Sequence, residues 1–273
     1  MFALSFLSFG LSVGHAESLI NRPEAKWNIQ PVYELGFIGV LQNDIQLGKN
    51  GTGFDYISEG GEDNLFRYAR YEMNFVYQDT HNLSFLFQPF DVTTSSVLRS
   101  DKQFDSVLFA QGTPMFYRYG FDYYRATYSK NFIYTDKKRL SGGVAMQIRN
   151  ATLDFRSQDG ELQNSSRDIG PVPLATISGE MNAKNHVWYG FEATGSFAPI
   201  KYINGSNSDI VGALLDASIR GGLHLKNKTD VYVNLRYIGG GAEGTDSTPD
   251  PGKDGYVANW IQLTSLSVGF RLR

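Results

Sequence analysis

From Trp27 onward, apolar and polar residues alternate along most of the chain. Successive side chains of a β-strand point to opposite faces, so each such run predicts a strand with one greasy face and one polar face. Ten runs are present, near residues 31–44, 65–78, 82–92, 115–134, 139–156, 172–182, 186–198, 210–226, 229–240 and 256–273. Tyr33, Leu35, Phe37 and Leu41 share a face of the first, and Ala69, Tyr71, Met73, Phe75 and Tyr77 share one of the second. Val187, Tyr189, Phe191, Ala193 and Phe197 do so on the seventh, and Ile219, Leu223, Val233 and Leu235 continue the set. The fourth and fifth runs change parity near Tyr123-Tyr124 and Arg149-Asn150, which predicts a bulge or a rise above a bilayer there. The sixth carries Pro171 and Pro173 and is the weakest pattern. No stretch keeps a 3.6-residue period, and no segment repeats.

The connections alternate in length. Asp79–Asn82, Thr135–Lys138, Asn182–Asn185 and Lys226–Thr229 are short and rich in Asn, Asp and Lys, which tolerate tight-turn geometry. Residues 45–64, 93–114, 157–171, 199–209 and 241–255 are long and carry Gly, Ser, Asn, Asp and Pro, as surface loops do. Short turns on one side of a bilayer and long loops on the other characterise transmembrane barrels, whose strands cross in about 9–11 residues. The expected fold is all-β: an antiparallel transmembrane β-barrel of about ten strands with short periplasmic turns and long extracellular loops. No stretch approaches the roughly 18 apolar residues of a membrane helix, so a membrane protein of this sequence is a barrel.

Composition narrows the picture further. A net charge of −3 argues against a nucleic-acid partner. Trp27, Trp188 and Trp260 fall near expected strand ends, where an aromatic belt would sit. Residues 2–13, FALSFLSFGLSV, form an apolar run followed by Gly14-His15-Ala16, which reads as a secretory signal with its cleavage site. The expected organisation is a signal peptide over 1–16, a periplasmic segment over 17–30 and a barrel over 31–273.

The last run, Tyr256 to Arg273, sets Leu266, Val268, Phe270 and Leu272 against Ser267, Gly269, Arg271 and Arg273. Behind an export signal and at the chain's end, it resembles the closing strand of bacterial outer-membrane β-barrels. Those usually end in an aromatic residue, whereas this chain has Phe270 three places before its terminal Arg273. The resemblance implies a monomer in the outer membrane of a Gram-negative cell, inserted by the barrel-assembly machinery. Its partners would be outer-membrane lipid and lipopolysaccharide.

The face opposite the apolar one carries Glu34, Glu72, Asp122, Glu180, Glu192 and Asp216 against Arg70, Arg118, Arg149, Arg220, Arg236 and Arg271. Charges in a narrow interior are costly unless paired, and arginine suits bidentate contact with carboxylates. A barrel near eight strands can be filled by its own side chains. Two readings follow: a salt-bridged plug, or a narrow polar path.

Small barrels that are enzymes, such as omptin-like proteases, lipid A palmitoyltransferases and deacylases, and the outer-membrane phospholipase, rely on a histidine base. Of the four histidines, His15 belongs to the signal, His81 and His186 lie in or beside short turns, and His224 faces inward near Arg220 and Asp216. None is expected at the outer rim. Gly239–Gly244 matches GxGxxG, but Thr245–Gly252 follows and cannot open the helix that a dinucleotide site needs. Asp246, Asp250 and Asp254 lack EF-hand spacing. No catalytic, cofactor or metal site is expected. The expected function is a non-catalytic outer-membrane barrel with a surface, structural, binding or narrow-transport role. The alternative is a hydrolase or acyltransferase at the outer surface.

Overall fold

A computed structural model describes residues 26–184, 186–199, 208–249 and 251–273. The expected signal peptide lies outside them. So do the side chains of Arg149, Asp168, Ile169, Ala198 and Pro199. The strands are β1 (Trp27–Leu47), β2 (Phe54–Asp55), β3 (Leu65–Tyr77), β4 (His81–Gln88), β5 (Asp91–Val97), β6 (Lys102–Phe104), β7 (Val107–Phe109), β8 (Pro114–Tyr134), β9 (Lys138–Ser157), β10 (Gln163–Asn182), β11 (Val187–Pro199), β12 (Asp209–His224), β13 (Thr229–Thr245) and β14 (Tyr256–Leu272). All pairings are antiparallel, and β14 returns to β1 from Val32↔Arg271 to Leu47↔Val257, closing the sheet. β4 and β5 are two pieces of one wall strand, interrupted at Pro89-Phe90, where a proline removes a ladder donor. The barrel therefore has ten wall strands.

The outward face is an apolar belt. Leu35, Phe37, Tyr71, Met73, Phe85, Val144, Tyr189, Ile219, Leu235 and Leu266 are all exposed. Such a surface is stable only against lipid or a partner. Trp188 departs from its expected place: it is fully buried inside the barrel, on the same strand face as Gly190 and Glu192.

Register runs through Tyr123-Tyr124 and Arg149-Asn150 without a shift, and β8 slips instead between Asn131 and Ile133. What changes at those positions is the outward chemistry. Tyr124, Tyr128, Met146 and Ile148 give way toward the loop end to Asp122, Arg118, Asn150 and Arg156. β8 and β9 thus rise beyond the apolar belt, as the parity change allowed. β10 starts at Gln163, not near 172, so the expected 157–171 loop shrinks to a tight turn. Above Ala175, β10 pairs only with β9, and an edge of that kind accommodates Pro171 and Pro173.

The connection expected as a loop over 93–114 holds β5 and the β6–β7 hairpin. Together with β2, this hairpin folds inward. Phe54, Tyr56, Phe104, Phe109, Tyr117 and Phe155 are buried as one aromatic cluster, with Phe104 and Phe155 stacked at 3.9 Å between centroids. The loop-end half of the lumen is thus an apolar core.

Candidate functional site

Below that core, the inward positions of β1, β3, β8, β12 and β13 carry charge. Asp216 on β12 is the centre. Its Oδ2 accepts from Arg70 Nη1 of β3 at 3.2 Å and from Arg125 Nη1 of β8 at 2.9 Å, while its Oδ1 accepts from Arg236 Nη1 of β13. All four side chains are buried. Arg125 Nε and Nη2 also donate to Gln147 Oε1 at 3.0 and 2.8 Å, which fixes the guanidinium plane. Three guanidiniums on one carboxylate leave local positive charge. Glu34 offsets it with Arg236 Nη2 4.0 Å away, and Glu192 does so from Arg70 at 3.5 Å.

Glu34 is held chiefly by neutral donors. Tyr232 Oη donates at 3.0 Å, Asn234 Nδ2 at 3.0 Å and Ser267 Oγ at 3.3 Å. Gly269 makes room for this: a Cβ there would lie 2.2 Å from the Tyr232 ring. Small residues on the inward face of the closing strand therefore let a large neighbour reach across to a carboxylate.

A second layer lies at the turn end. Arg271 donates to Glu180 at 2.7 Å and to Asp230 at 2.6 Å, and its guanidinium covers the Trp188 ring at 4.7 Å. Arg139 reaches Glu180 at 3.5 Å. His224 belongs here, not beside Arg220 and Asp216. Its Nδ1 lies 2.7 Å from Asp230 Oδ1, its Nε2 2.9 Å from Asn182 Oδ1, and its ring stacks on Trp188. A histidine engaged on both nitrogens and one ring face is fixed in place within this layer.

The structure brings together Glu34, Arg70, Glu72, Glu180, Glu192, Asp216, Arg220, Arg236 and Arg271 of the expected charge set. Arg118 and Asp122 are placed elsewhere. Arg118 is exposed on the outward face and forms a 2.5 Å pair with Asp91, and Asp122 shares its face and accepts from the Phe90 backbone N–H. Both lie beyond the apolar belt, where outward positions are wet, so polarity there does not mark the lumen. Arg149 lies outside the described side chains. The sequence reading missed Arg125, Arg139 and Asp230. Within the belt Tyr124, Ala126 and Tyr128 alternate with Arg125, Thr127 and Ser129 on β8, and that was the available signal for Arg125.

The outer end holds a buried carboxylate of a different kind. Glu62, in the loop between β2 and β3, accepts from Asn43 Nδ2 at 2.8 Å. Burial pushes its carboxyl up to about 7, nearby Asp55 adds to this, and the Asn43 bond opposes it. Among the described residues, no group of three or more histidines, acids or cysteines is arranged to hold a metal ion.

No protein-family model and no curated protein matches the chain. Among solved structures, the chain is similar to the outer membrane protease OmpT of Escherichia coli at 10% identity, over 89% of this chain and 96% of that one, with a TM-score of 0.49. It is similar to Ail, the attachment invasion locus protein of Yersinia pestis, at 11% identity over 89% and 99% with a TM-score of 0.34. A third likeness is to the toluene transporter TodX of Pseudomonas putida, at 8% identity over 90% of each chain with a TM-score of 0.33. These are likenesses of barrel architecture, which hosts many functions and specifies none.

Proposed function

We propose that this protein is an integral outer-membrane barrel with a closed lumen. Its role is non-catalytic and exercised as a surface or structural element, not as a pore. The observation that carries this reading is the filling of the interior: an aromatic core in the loop-end half, and below it Asp216 bridged from three strands. A buried carboxylate held at 2.9 and 3.2 Å by buried guanidiniums from distant wall strands supports closure of the lumen at its level. The apolar belt supports a bilayer location, and the expected lipid and lipopolysaccharide contacts belong to that belt. The hydrolase alternative rests on a histidine base at the loop end. His81, His186 and His224 all stand at the turn end instead.

The test is fractionation together with solute flux. The protein should fractionate with the outer membrane, migrate differently on gels before and after heating, and leave proteoliposomes impermeable to a small sugar. Recovery as a soluble periplasmic protein, or rapid sugar-driven swelling, would refute the reading.

A further inference from the structure

Between the two charged layers lies a polar cavity of about 90 Å³. A single water requires roughly 10–15 Å³ on this measure, so the space accommodates a small polyatomic solute. Five arginines and two glutamates line it, among Ser, Thr and Asn side chains. Three of the arginines are committed: Arg70 and Arg125 to Asp216, and Arg271 to Glu180 and Asp230. Arg139 and Arg220 are held loosely. Arg139 shares Glu180 at 3.5 Å, and Arg220 has Glu192 at 3.8 Å.

Register sets these two around a recess. Arg139 pairs with Glu180, Glu180 with Gly190, and Gly190 with Arg220, in one row across β9 to β12. Gly190 carries no side chain, and the Arg220 Nε lies 3.3 Å from where a Cβ would stand. That Nε is buried and has no protein acceptor. Trp188, two residues from Gly190 on the same face and fully buried, likewise offers its indole Nε1 to no protein acceptor. A buried donor left unpaired costs free energy, and both residues line the cavity, so an acceptor bound there would relieve both once a small side-chain shift brings them into reach. Guanidinium forks match tetrahedral oxyanions, and an indole N–H can only donate.

The geometry points to a binding site for a small free oxyanion of the phosphate class, held by Arg220, Arg139 and the Trp188 indole in the turn-side half of the lumen. The cavity shares Arg70 and Arg125 with the central layer, but neither Arg220, Arg139 nor Trp188 holds Asp216, so the proposal stands whether or not the barrel conducts.

The experiment uses the full chain in detergent micelles with Trp27→Phe and Trp260→Phe, leaving Trp188 as the fluorescent reporter. Sodium phosphate is titrated against sodium chloride at matched ionic strength. The expected result is a saturable emission change with phosphate alone. Arg220→Gln should raise its half-saturation concentration by about tenfold or more, as loss of a charged hydrogen bond does, and Arg118→Gln should not move it. Should Arg220→Gln give no heat-modifiable band, Arg139→Gln supplies the same comparison. A phosphate trace that overlays the chloride trace overturns the proposal. So does an unchanged half-saturation in the folded arginine variant.

Discussion

Arg125 on β8 and Asp216 on β12 meet across the lumen, four wall strands apart, with Nη1 2.9 Å from Oδ2. Arg70 arrives at the same oxygen from β3, on the other side. Neighbouring strands are tied by their backbones, so such pairs add ties of a different kind: they brace opposite walls.

Asp216→Asn should be strongly destabilising. It removes the charge that three buried guanidiniums share, and breaking a buried pair typically costs about 3–5 kcal/mol. Urea unfolding in micelles, followed by the heat-modifiable gel shift, should show a transition at markedly lower urea. An unshifted midpoint would mean that Asp216 is not the centre of the network.

Arg118→Ala should behave as a surface change, although its sequence neighbourhood resembles that of Arg125. Arg118 and Asp91 are about half exposed, and exposed pairs contribute about 0–1 kcal/mol. In the same unfolding assay Arg118→Ala should fall within 1 kcal/mol of the parent, and Arg125→Ala well outside it. Equal effects would count against the placement of Arg118 on the outer face.

These two arginines show what the sequence makes legible and what it hides. Alternation locates the ten wall strands, and connection length sorts their ends, because both follow from a barrel with lipid outside. On β8 the rule that apolar means outward holds only within the belt. Above it, Arg118 and Asp122 point to solvent while Tyr117, Tyr119 and Phe155 pack inside, so the sign of the pattern inverts with no break in register. The aromatic core was hidden for a related reason. Phe54, Tyr56, Phe104 and Phe109 lie among Gly, Ser and Asp in segments that read as surface loops, and only the fold shows that they turn inward. Arg236 and Glu34 were legible because both lie in the belt on well-alternating strands.

Stability should fall as pH rises from about 4.5 to about 7, through Glu62. Its folded carboxyl titrates near 7 against an ordinary 4.5, so between those values the native state binds more protons than the unfolded chain. The folded state is therefore penalised once Glu62 ionises, by roughly 3 kcal/mol in full. Melting temperatures at pH 5 and pH 8 should differ less in Glu62→Gln than in the parent. An identical pH dependence in both proteins would exclude Glu62 as the source.

Gly269→Ala should disturb Glu34 without touching it. The added methyl would fall 2.2 Å from the Tyr232 ring, which must swing off the carboxylate to which it donates at 3.0 Å. Overpacking of this kind costs about 1–3 kcal/mol. Gly170→Ala, where a Cβ meets nothing within 4 Å, is the control and should leave the urea midpoint in place.

The central claim is that the interior is closed by its own side chains, and planar-bilayer recording tests it most directly. The unmodified protein should insert without steady conductance, and Arg125→Ala, which removes one cross-lumen brace, should show frequent openings at the same voltage. Steady conductance from the unmodified protein, with Arg125→Ala altering only ion selectivity, would contradict the account.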